Sequence, residues 1–568
     1  MNEVDSNNVA ELSGPEKVKL ASRHLRGTLE QSLADRATGA LAEDDQYLLK
    51  FHGSYQQDDR DLRLERQQQK LEPDYGYMIR ARIPAGVVSA AQWLVLDEIA
   101  RAYAGDSIRL TTRQTVQYHR VRKTQLKAAI QAINRALLTT VAACGDVNRN
   151  VICTVNAARS PLHAAVYQQA RAISDHLLPN TGAYREIWLD GKPPAYPEAE
   201  QEPLYGDGYL PRKFKIALAV PPDNDVDVYT HDLAFIAIAD GDQLAGFNVM
   251  VGGGMGMSHG DVNTYPRLAS VIGFCPPDQV MEVAEQVVAI QRDYGNRTDR
   301  KRARFKYTID DRGLPWFREE LTRRLRQPLQ ASRPFHFSRR ADQPGWQQQA
   351  GLWHWCVHLP AGRISDNGGQ RYLSAFRAMA SELDCQFIMT ANQNLIISGL
   401  DEAGRQRVEQ LASDHGIAAD AGWTPTRQQA LACVGLPTCA LAMAESERAL
   451  PAIIDRLDAL MAEHGLQQTP ISVRVTGCPN GCARPYVAEI GLVGKAPGRY
   501  NLYLGAAADG SRLNRLFREN IDETQIIDEL RPLLAAYASK RQADESFGDY
   551  LIRAGTVRAV TEGRTFHD

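Results

Sequence analysis

Residues 77–86 read Tyr-Met-Ile-Arg-Ala-Arg-Ile-Pro-Ala-Gly, and residues 353–362 read Trp-His-Trp-Cys-Val-His-Leu-Pro-Ala-Gly. Polar and apolar residues alternate along both stretches, as they do in a half-buried strand, and both end in the turn signal Pro-Ala-Gly. An amphipathic helical pattern follows each stretch, over residues 90–103 and residues 370–383. The sequence therefore predicts that one strand–turn–helix unit occurs twice in this chain.

The similarity between the two copies continues beyond these units. Residues 110–116 align without a gap with residues 389–395 and share Thr and Gln at matching places. Three later pairs of segments also resemble one another: residues 153–161 with 477–485, residues 186–189 with 489–492, and residues 246–252 with 499–505. A long internal repeat predicts two similar units that pack around a pseudo-two-fold axis.

The order strand–helix–strand–strand at the start of each copy predicts an α+β fold built from two ferredoxin-like units, each followed by a mixed α/β domain. The polar first segment, rich in Gln, Asp and Arg, is interpreted as a solvated helix or an extended arm that contacts a partner protein. The predicted segments are a polar arm (1–70), a ferredoxin-like half-domain (71–145), a mixed domain (146–345), a second half-domain (346–421) and a second mixed domain (422–568).

Composition excludes several classes of protein. A chain that is 44% hydrophobic and 23% charged is ordinary for a globular protein, and a net charge of −3 argues against a nucleic-acid binder. The sequence contains neither an apolar run of the ~18 residues needed to span a membrane nor a secretory signal. Nine cysteines in 568 residues are too sparse for a disulfide scaffold. These features predict a cytoplasmic protein with no membrane contact. Five cysteines are expected to be ordinary buried thiols: Cys144, Cys153, Cys275, Cys356 and Cys385.

The other four cysteines are grouped in two short loops. Cys433 and Cys439 have the spacing C-x5-C, and Cys478 and Cys482 have the spacing C-x3-C. Four thiolates on two tight loops suit zinc or an iron–sulfur cluster. Zinc ribbons usually have two residues between paired ligands, so the spacing favours a cluster, although zinc and inert thiols stay open as alternatives.

Basic residues occur on strands that are otherwise apolar. Arg80 and Arg82 are two residues apart, and so are Lys213 and Lys215 at the head of the apolar stretch 216–220. Residues at this spacing lie on one face of a strand. A single Arg or Lys is usually a solvated surface charge, but charges on one face of an apolar strand indicate a cavity that binds an anion.

These motifs together resemble the siroheme sulfite and nitrite reductase family over nearly the whole chain. The cysteine loops carry the resemblance, together with Val-Asn-Arg-Asn at 147–150, Leu-Pro-Arg-Lys-Phe-Lys at 210–215 and Gly-Lys-Ala-Pro-Gly-Arg at 494–499. The resemblance implies three lobes around one siroheme and one [4Fe–4S] cluster. It also implies that the cluster is held by Cys433, Cys439, Cys478 and Cys482, and that the sulfur of Cys482 bridges to the siroheme iron as its axial ligand.

The resemblance further implies six-electron reduction of sulfite to sulfide. Arg82, Arg149, Lys213 and Lys215 would bind the anion and supply protons. The polar turn at 148–150, which carries Arg149, is interpreted as the loop that closes over the substrate. We expect the other siroheme contacts to be Arg109, Arg113, Gln117, His119, Arg212, Gln393 and Asn394. Nitrite reductases tend to have Lys-x-Asn where this chain has Lys213 and Lys215, which favours sulfite. A nitrite or ferredoxin-dependent reductase, or a non-catalytic protein with a metal clip, remains an alternative.

The source of electrons is expected to lie on another protein. Residues 252–257 read Gly-Gly-Gly-Met-Gly-Met, which does not fit the dinucleotide fingerprint G-x-G-x-x-G and is interpreted as a glycine-rich turn, with a loop near siroheme as the alternative. Nothing in the sequence suggests a flavin domain. The resemblance implies a hetero-oligomer with a diflavin (FAD/FMN) subunit that oxidises NADPH.

Overall fold

The computed structural model describes residues 11–190, 201–418 and 422–568. The first ten residues of the predicted arm and the predicted boundary after residue 421 lie outside the described residues. The described residues begin with three short helices and a strand, which continue into the first half-domain. Its helices are α1 (Gly14–Ala21), α2 (Leu29–Ala34), α3 (Glu43–Leu48), α4 (Arg63–Gln68), α5 (Ala90–Tyr103) and α6 (Leu126–Arg135), and its strands are β1 (Ser54–Asp58), β2 (Tyr75–Arg80), β3 (Val87–Ser89), β4 (Ile108–Leu110) and β5 (Val116–Val121).

Most of the predicted solvated arm is part of the folded core, so that prediction is wrong for the described residues before α4. β1 pairs antiparallel with β2, and Leu25, Leu29, Leu49 and Phe51 are buried in the main core. Leu29 lies on a helix of six residues, and Leu49 and Phe51 lie on a 3-10 helix of four, so these elements are too short to give a periodic pattern in the sequence. The prediction of a solvated helix is confirmed for α4, which has no buried residue.

The first mixed domain follows. Its strands are β6 (Ile152–Cys153), β7 (Ile216–Ala219), β8 (Leu233–Asp240), β9 (Gln243–Val251) and β10 (Ser270–Cys275), and its helices are α7 (Pro161–His176), α8 (Ala183–Arg185), α9 (Val280–Tyr294), α10 (Phe305–Arg312) and α11 (Leu314–Arg324). The strands form one sheet in chain order, in which β6, β7 and β8 are parallel and β9 and β10 are antiparallel to their neighbours.

The second half of the chain repeats this plan. The second half-domain contains β11 (Gly345–Gln349), β12 (Leu352–Val357), β13 (Arg363–Ile364), β14 (Asp366–Asn367), β15 (Gln370–Arg371), α12 (Tyr372–Glu382), β16 (Gln386–Met389), β17 (Leu395–Leu400) and α13 (Glu402–Asp414). The second mixed domain contains α14 (Pro425–Gln428), β18 (Leu431–Ala432), α15 (Leu450–Glu463), β19 (Val473–Thr476), β20 (Ile490–Ala496), β21 (Arg499–Leu504), β22 (Arg515–Ile521), α16 (Glu523–Lys540) and α17 (Phe547–Arg553). Its sheet has the same order and the same parallel and antiparallel pairs as the first. The predicted pseudo-two-fold repeat is confirmed.

The two half-domains exchange a strand. Their sheets have the orders β1-β2-β5-β4-β13 and β11-β12-β17-β16-β3. β13 of the second copy therefore completes the first sheet beside β4, and β3 of the first copy completes the second sheet beside β16. The Pro-Ala-Gly turns lead into these exchanged strands, and Ala85 and Ala361 take the same left-handed backbone conformation, with φ of 55° and 51°. Each half-domain is thus incomplete without the other.

The sheet order corrects two of the sequence alignments. Residues 153–161 follow the first strand of their sheet, whereas residues 477–485 follow the second strand, so the counterpart of 477–485 is the segment 220–228 after β7. The pairing of Glu186 with Glu489 is also wrong, because Glu186 opens a helical turn and Glu489 leads into β20. The pairing of residues 246–252 with 499–505 is confirmed, since both segments lie on the fourth strand of their sheet. No helix among the described residues is long and apolar enough to cross a membrane.

Candidate active site

Two equivalent turns join the half-domains to the mixed domains. Gln114 lies in the turn between β4 and β5, and its side-chain amide accepts from the Cys153 amide at 3.0 Å and donates to the Cys153 carbonyl at 2.8 Å. Gln393 occupies the equivalent turn between β16 and β17 and accepts from the amide of Ala432 at 3.4 Å. Both glutamines have positive φ, 50° and 67°. Gln393, predicted as a siroheme contact, thus holds the strand that leads into Cys433.

The cysteine loops lie at one edge of the second mixed sheet. Cys433 follows β18 and Cys478 follows β19, and because these strands are parallel neighbours their loops leave the sheet at the same edge. The Gly477 amide donates to Cys433 Sγ at 3.2 Å. Burial raises the pKa of Cys439 to about 11, and Cys433 and Cys482 add to this shift. Burial raises the pKa of Cys478 to about 12, with Cys482 as the next cause. The four thiols therefore converge.

Glycine allows the two loops to pack backbone against backbone. The Gly477 carbonyl accepts from the amides of Met443 at 2.7 Å and Ala444 at 3.1 Å. A Cβ atom at Gly477 would lie 2.7 Å from the Ala444 carbonyl oxygen and 3.1 Å from Gly435 Cα. Any larger residue at 477 would push the loop of Cys433 and Cys439 away from the loop of Cys478 and Cys482.

A single-ion site is not formed by these thiols. Across the described ranges, no group of three or more His, Cys, Asp or Glu side chains is arranged to hold one metal ion. Zinc requires four ligands at about 2.0–2.3 Å from one centre, so the zinc alternative gains no support from the side-chain arrangement. Thiolates that hold a larger cluster stand further apart, and the donor set of four thiols fits one.

Two lysines face the cysteine loops from the first mixed domain. Lys213 and Lys215 precede β7. Each lies close enough to Cys482 for the charge of its thiolate to raise the pKa of the lysine. Burial, followed by Arg212 and Arg304, lowers the pKa of Lys213 to about 7. Burial and Lys213 hold the pKa of Lys215 well below its usual value. Among the described residues neither ammonium group has a carboxylate partner.

Arg149 and Arg80 lie together on the same side of the site. The Arg149 guanidinium donates to the Gly145 carbonyl at 2.7 Å, and both arginines face Tyr55 and Cys144. Arg80 donates to Cys144 Sγ at 3.0 Å, and the side-chain amide of Gln117 lies against its guanidinium, with the amide oxygen assigned as acceptor. The predicted site residues Arg149 and Gln117 are thus brought together by Arg80, which the sequence predicts to line an anion cavity but not to belong to the active-site quartet.

Arg82 makes no hydrogen bond to this group among the described residues, although its Nε atom is buried without a partner. Its guanidinium donates to the carbonyls of Ser174 at 2.6 Å and Asn148 at 3.2 Å, and the residue is 2% exposed. β2 ends at Arg80, and Arg82 then makes an isolated bridge to Thr139, so the alternation that should place Arg80 and Arg82 in one environment stops between them. Through its bond to the Asn148 carbonyl, Arg82 fixes the backbone next to Arg149.

Some of the other predicted siroheme contacts have side-chain nitrogens that could still bind a cofactor, and others are already bonded within the protein. Arg113 donates to the Ile216 carbonyl at 2.9 Å, and its Nε and Nη1 atoms are buried with no partner in the described part of the chain. Arg212 lies 4.0 Å from Asp146 and makes no closer ion pair there. Nε2 of His119 is likewise buried without a partner, and burial holds the pKa of this imidazole well below its usual value.

The occupied groups are Arg109 and Asn394. Arg109 forms an ion pair with Glu447 at 2.8 Å and donates to the Ala432 carbonyl at 2.8 Å. Asn394 donates to Asp342 at 2.7 Å and accepts from the Leu359 amide at 3.1 Å. Both side chains are therefore used in bonds within the protein that stabilise the segments around the site.

The glycine-rich segment 252–257 lies against the second cysteine loop. The Met257 amide donates to the Pro479 carbonyl at 3.0 Å, and a Cβ atom at Gly256 would lie 3.2 Å from the Asn480 carbonyl oxygen. The buried Lys306 ammonium donates to the Gly256 carbonyl at 2.7 Å and so fixes the segment. Lys306 was not predicted from the sequence, and the run of glycines is the only local signal of the close backbone approach at this segment.

The donor set fits an anionic cofactor and an anionic substrate. Arg113, Lys213 and Lys215 are cations in a partly desolvated site with no carboxylate partner, and such charges are costly unless an anion joins them. Siroheme carries several carboxylates, and sulfite is an anion. The exposed Cys482 thiol is directed to the same region, as its effect on both lysines indicates.

Known proteins resemble this chain over almost its whole length. Residues 168–329 match the nitrite and sulphite reductase 4Fe-4S domain, and residues 69–136 and 346–413 each match the nitrite/sulfite reductase ferredoxin-like half domain. Proteins named sulfite reductase [NADPH] hemoprotein beta-component are 53% identical in Geobacillus kaustophilus, over 98% of each chain, and 55% identical in Myxococcus xanthus, over 96% of this chain and 97% of the relative. The structure of the Mycobacterium tuberculosis NirA protein superposes with a TM-score of 0.77 at 25% identity, over 95% of this chain and 96% of that one.

Proposed function

This chain belongs to the nitrite and sulfite reductase family, and from that premise we propose that it reduces sulfite to sulfide as the hemoprotein component of an NADPH-dependent sulfite reductase. The observation that carries the proposal is the group of cations without carboxylate partners beside Cys482, formed by Arg113, Lys213 and Lys215. The reaction belongs to assimilatory sulfur metabolism, which supplies sulfide for cysteine biosynthesis.

The cofactors of the family are siroheme and one [4Fe–4S] cluster. When bound, they store the electrons and pass them to the sulfur atom of the substrate. We propose that Cys433, Cys439, Cys478 and Cys482 hold the cluster, because their loops converge at one sheet edge. Cys482 would also help to hold siroheme, since it is the exposed thiol and it faces the lysines.

The basic residues bind the substrate and supply protons. Arg149 and Arg80 offer planar, charge-assisted hydrogen bonds to sulfite oxygens, and Arg80 replaces Arg82 in this role. Lys213 and Lys215 supply protons to each departing oxygen, because crowded and buried ammonium groups release a proton easily. Six electrons and six protons convert sulfite to sulfide and release its three oxygens as water. Arg113, Arg212 and His119 remain the proposed contacts to siroheme carboxylates.

Sulfite is favoured over nitrite because both Lys213 and Lys215 reach the site, and two cations suit the more highly charged anion. The test is turnover of the purified, cofactor-loaded protein with reduced viologen and each anion in turn. We expect the higher kcat/KM for sulfite, together with haem-like and cluster absorption that shifts when sulfite binds. A clear preference for nitrite, or a colourless protein that turns over neither anion, would refute the proposal.

The electron donor is proposed to be a diflavin (FAD/FMN) subunit that oxidises NADPH and forms a hetero-oligomer with this chain. The relatives are named beta-components, which implies another component. α4 supports a contact near the cluster: the helix has no buried residue, and the Arg60 amide before it donates to the Pro437 carbonyl beside Cys439 at 3.2 Å. All nine cysteines are free, which agrees with a proposed location in the reducing cytoplasm.

A surface substitution tests this contact better than a deletion. Deleting the first 50–60 residues would remove the buried Leu25 and Leu29, and at its longest also Phe51 and β1, so it would disrupt the core. Leu64 is 67% exposed on α4, and Leu64→Glu should lower NADPH-driven turnover while leaving viologen-driven turnover unchanged. Leu137→Glu, at a residue 92% exposed after α6, is the matched control. Equal NADPH-driven rates in the two variants would place the contact elsewhere.

A further inference from the structure

The guanidinium of Arg484 donates hydrogen bonds to two equivalent carbonyl oxygens, one in each copy of the repeat. Its Nη1 donates to the Thr112 carbonyl at 3.1 Å, and its Nη2 donates to the Ala391 carbonyl at 3.0 Å. Thr112 and Ala391 are equivalent residues, since the segments 110–116 and 389–395 align without a gap and form the two equivalent turns. A single side chain that binds equivalent atoms of two copies must lie on the pseudo-two-fold axis.

The remaining nitrogen of Arg484 is bound by a buried carboxylate. Nε forms an ion pair with Asp227, which is 1% exposed and also binds Arg474 at 2.6 Å and Arg340 at 2.5 Å. Asp227 lies in the segment 220–228, which is the counterpart of the loop that carries Cys478 and Cys482. Because both Nη atoms are hydrogen-bonded and Nε lies against the Asp227 carboxylate, the guanidinium is held in one orientation.

The same turn also bonds to Cys482. The Thr112 hydroxyl donates to the Cys482 carbonyl at 3.2 Å. Arg484, two residues further on, has the left-handed φ of 56°, and its amide donates to the Gly481 carbonyl at 2.9 Å. The turn of the first half-domain and the loop of Cys482 are therefore joined by a hydrogen bond in each direction.

We propose that Arg484 and Thr112 are positioning residues that set the place of Cys482 on the pseudo-two-fold axis and so fix how siroheme and the cluster are coupled. This inference rests on the proposed function, because it concerns the thiolate that would join the two cofactors. The proposal also explains how only the second copy of the repeat can carry the cysteine ligands. The first copy, which lacks these cysteines, contributes Asp227 and the Thr112 carbonyl, and both hold the loop of Cys482 near the pseudo-two-fold axis.

Three variants test the proposal. Arg484→Lys keeps the charge but cannot bond to both carbonyls and Asp227 at once, and Thr112→Val removes one hydroxyl at nearly constant volume. Arg340→Met is the matched control, because it removes a buried guanidinium from the same carboxylate without touching either turn. The readouts are the exchange coupling between siroheme and cluster, seen by EPR or Mössbauer spectroscopy, the iron and siroheme content, and the melting temperature of the cofactor-free protein.

We expect Arg484→Lys and Thr112→Val to retain cluster iron but to lose at least half of the coupled siroheme signal, with kcat lowered about tenfold or more and KM for sulfite changed less than threefold. Arg340→Met should lower the melting temperature and leave the coupled signal intact in the protein that folds. Full coupling in both test variants, or an equal loss of coupling in Arg340→Met, would overturn the inference. A wild-type protein that binds no siroheme would instead refute the proposed function.

Discussion

Lys213 illustrates how burial changes the chemistry of a single residue. Its pKa is lowered to about 7 by burial and by the neighbouring Arg212 and Arg304, so at neutral pH the amine is part protonated and can both give and regain a proton. Bound carboxylates and sulfite raise this pKa, because they favour the charged form. The turnover rate should therefore fall as the pH rises through a value at or above 7, where the neutral amine has no proton to give.

Replacing Lys213 by Arg separates proton supply from anion binding. Arginine stays charged throughout the accessible pH range, so Lys213→Arg should keep KM for sulfite within about threefold and lower kcat by about 10²-fold. The falling limb of the pH–rate profile should also shift or vanish. Lys213→Met, which loses the charge as well, should raise KM in addition. Unchanged kcat and an unchanged profile in Lys213→Arg would show that the proton comes from another group.

Arg80 and Arg82 should respond differently to the same substitution. Arg82→Gln leaves the carbonyls of Ser174 and Asn148 without a charged donor in the interior, so we expect a loss of about 1–3 kcal/mol in the free energy of unfolding. Arg80→Gln should change stability less and viologen-driven sulfite reduction more. Urea unfolding and steady-state kinetics on the two variants decide the matter, and the reverse pattern would restore Arg82 to the site.

At the scale of the element, the cysteine loops depend on glycine as much as on cysteine. Gly477→Ala would place a methyl group 2.7 Å from the Ala444 carbonyl oxygen and force the two loops apart. We expect this variant to lose most of its cluster iron and sulfide while keeping its overall circular dichroism. Gly14→Ala, where a Cβ atom meets nothing within 4 Å, is the control. Normal iron content in Gly477→Ala would show that the loops can separate without losing the cluster.

The same scale shows what the sequence could and could not predict. Strands and turns of the half-domains were predictable because alternation and Pro-Ala-Gly are local signals, as at residues 77–86. The alignment of 153–161 with 477–485 was wrong because strand–turn segments look alike, and only the sheet order distinguishes the first strand from the second. The four cysteines were predictable from their spacing. The different environments of Arg80 and Arg82 were not predictable, because the end of β2 depends on pairing with β5, which is not local.

At the scale of the whole molecule, the strand exchange ties the two copies into one unit. β3 and β13 each complete the sheet of the opposite half-domain. The exchange could not be predicted from the sequence, because it depends on contacts between residues more than 250 positions apart. It places the two equivalent turns side by side, which is the condition for a single site on the pseudo-two-fold axis.

The interlocked half-domains should unfold together, and Trp93 offers the test. This fully buried residue of α5, in the first copy, stacks on Phe387 of β16, in the second copy, with ring centroids 4.6 Å apart. Trp93→Ala should lower the free energy of unfolding by about 3–5 kcal/mol. Phe387 of β16 packs on that ring, and β16 pairs with β17. The amides of β16 and β17 should therefore lose protection from hydrogen exchange together with those of β4 and β5. Leu137→Ala, at an exposed site, should change neither half. A loss of protection confined to the first half-domain, or two separate unfolding transitions, would show that the copies fold independently despite the exchanged strands.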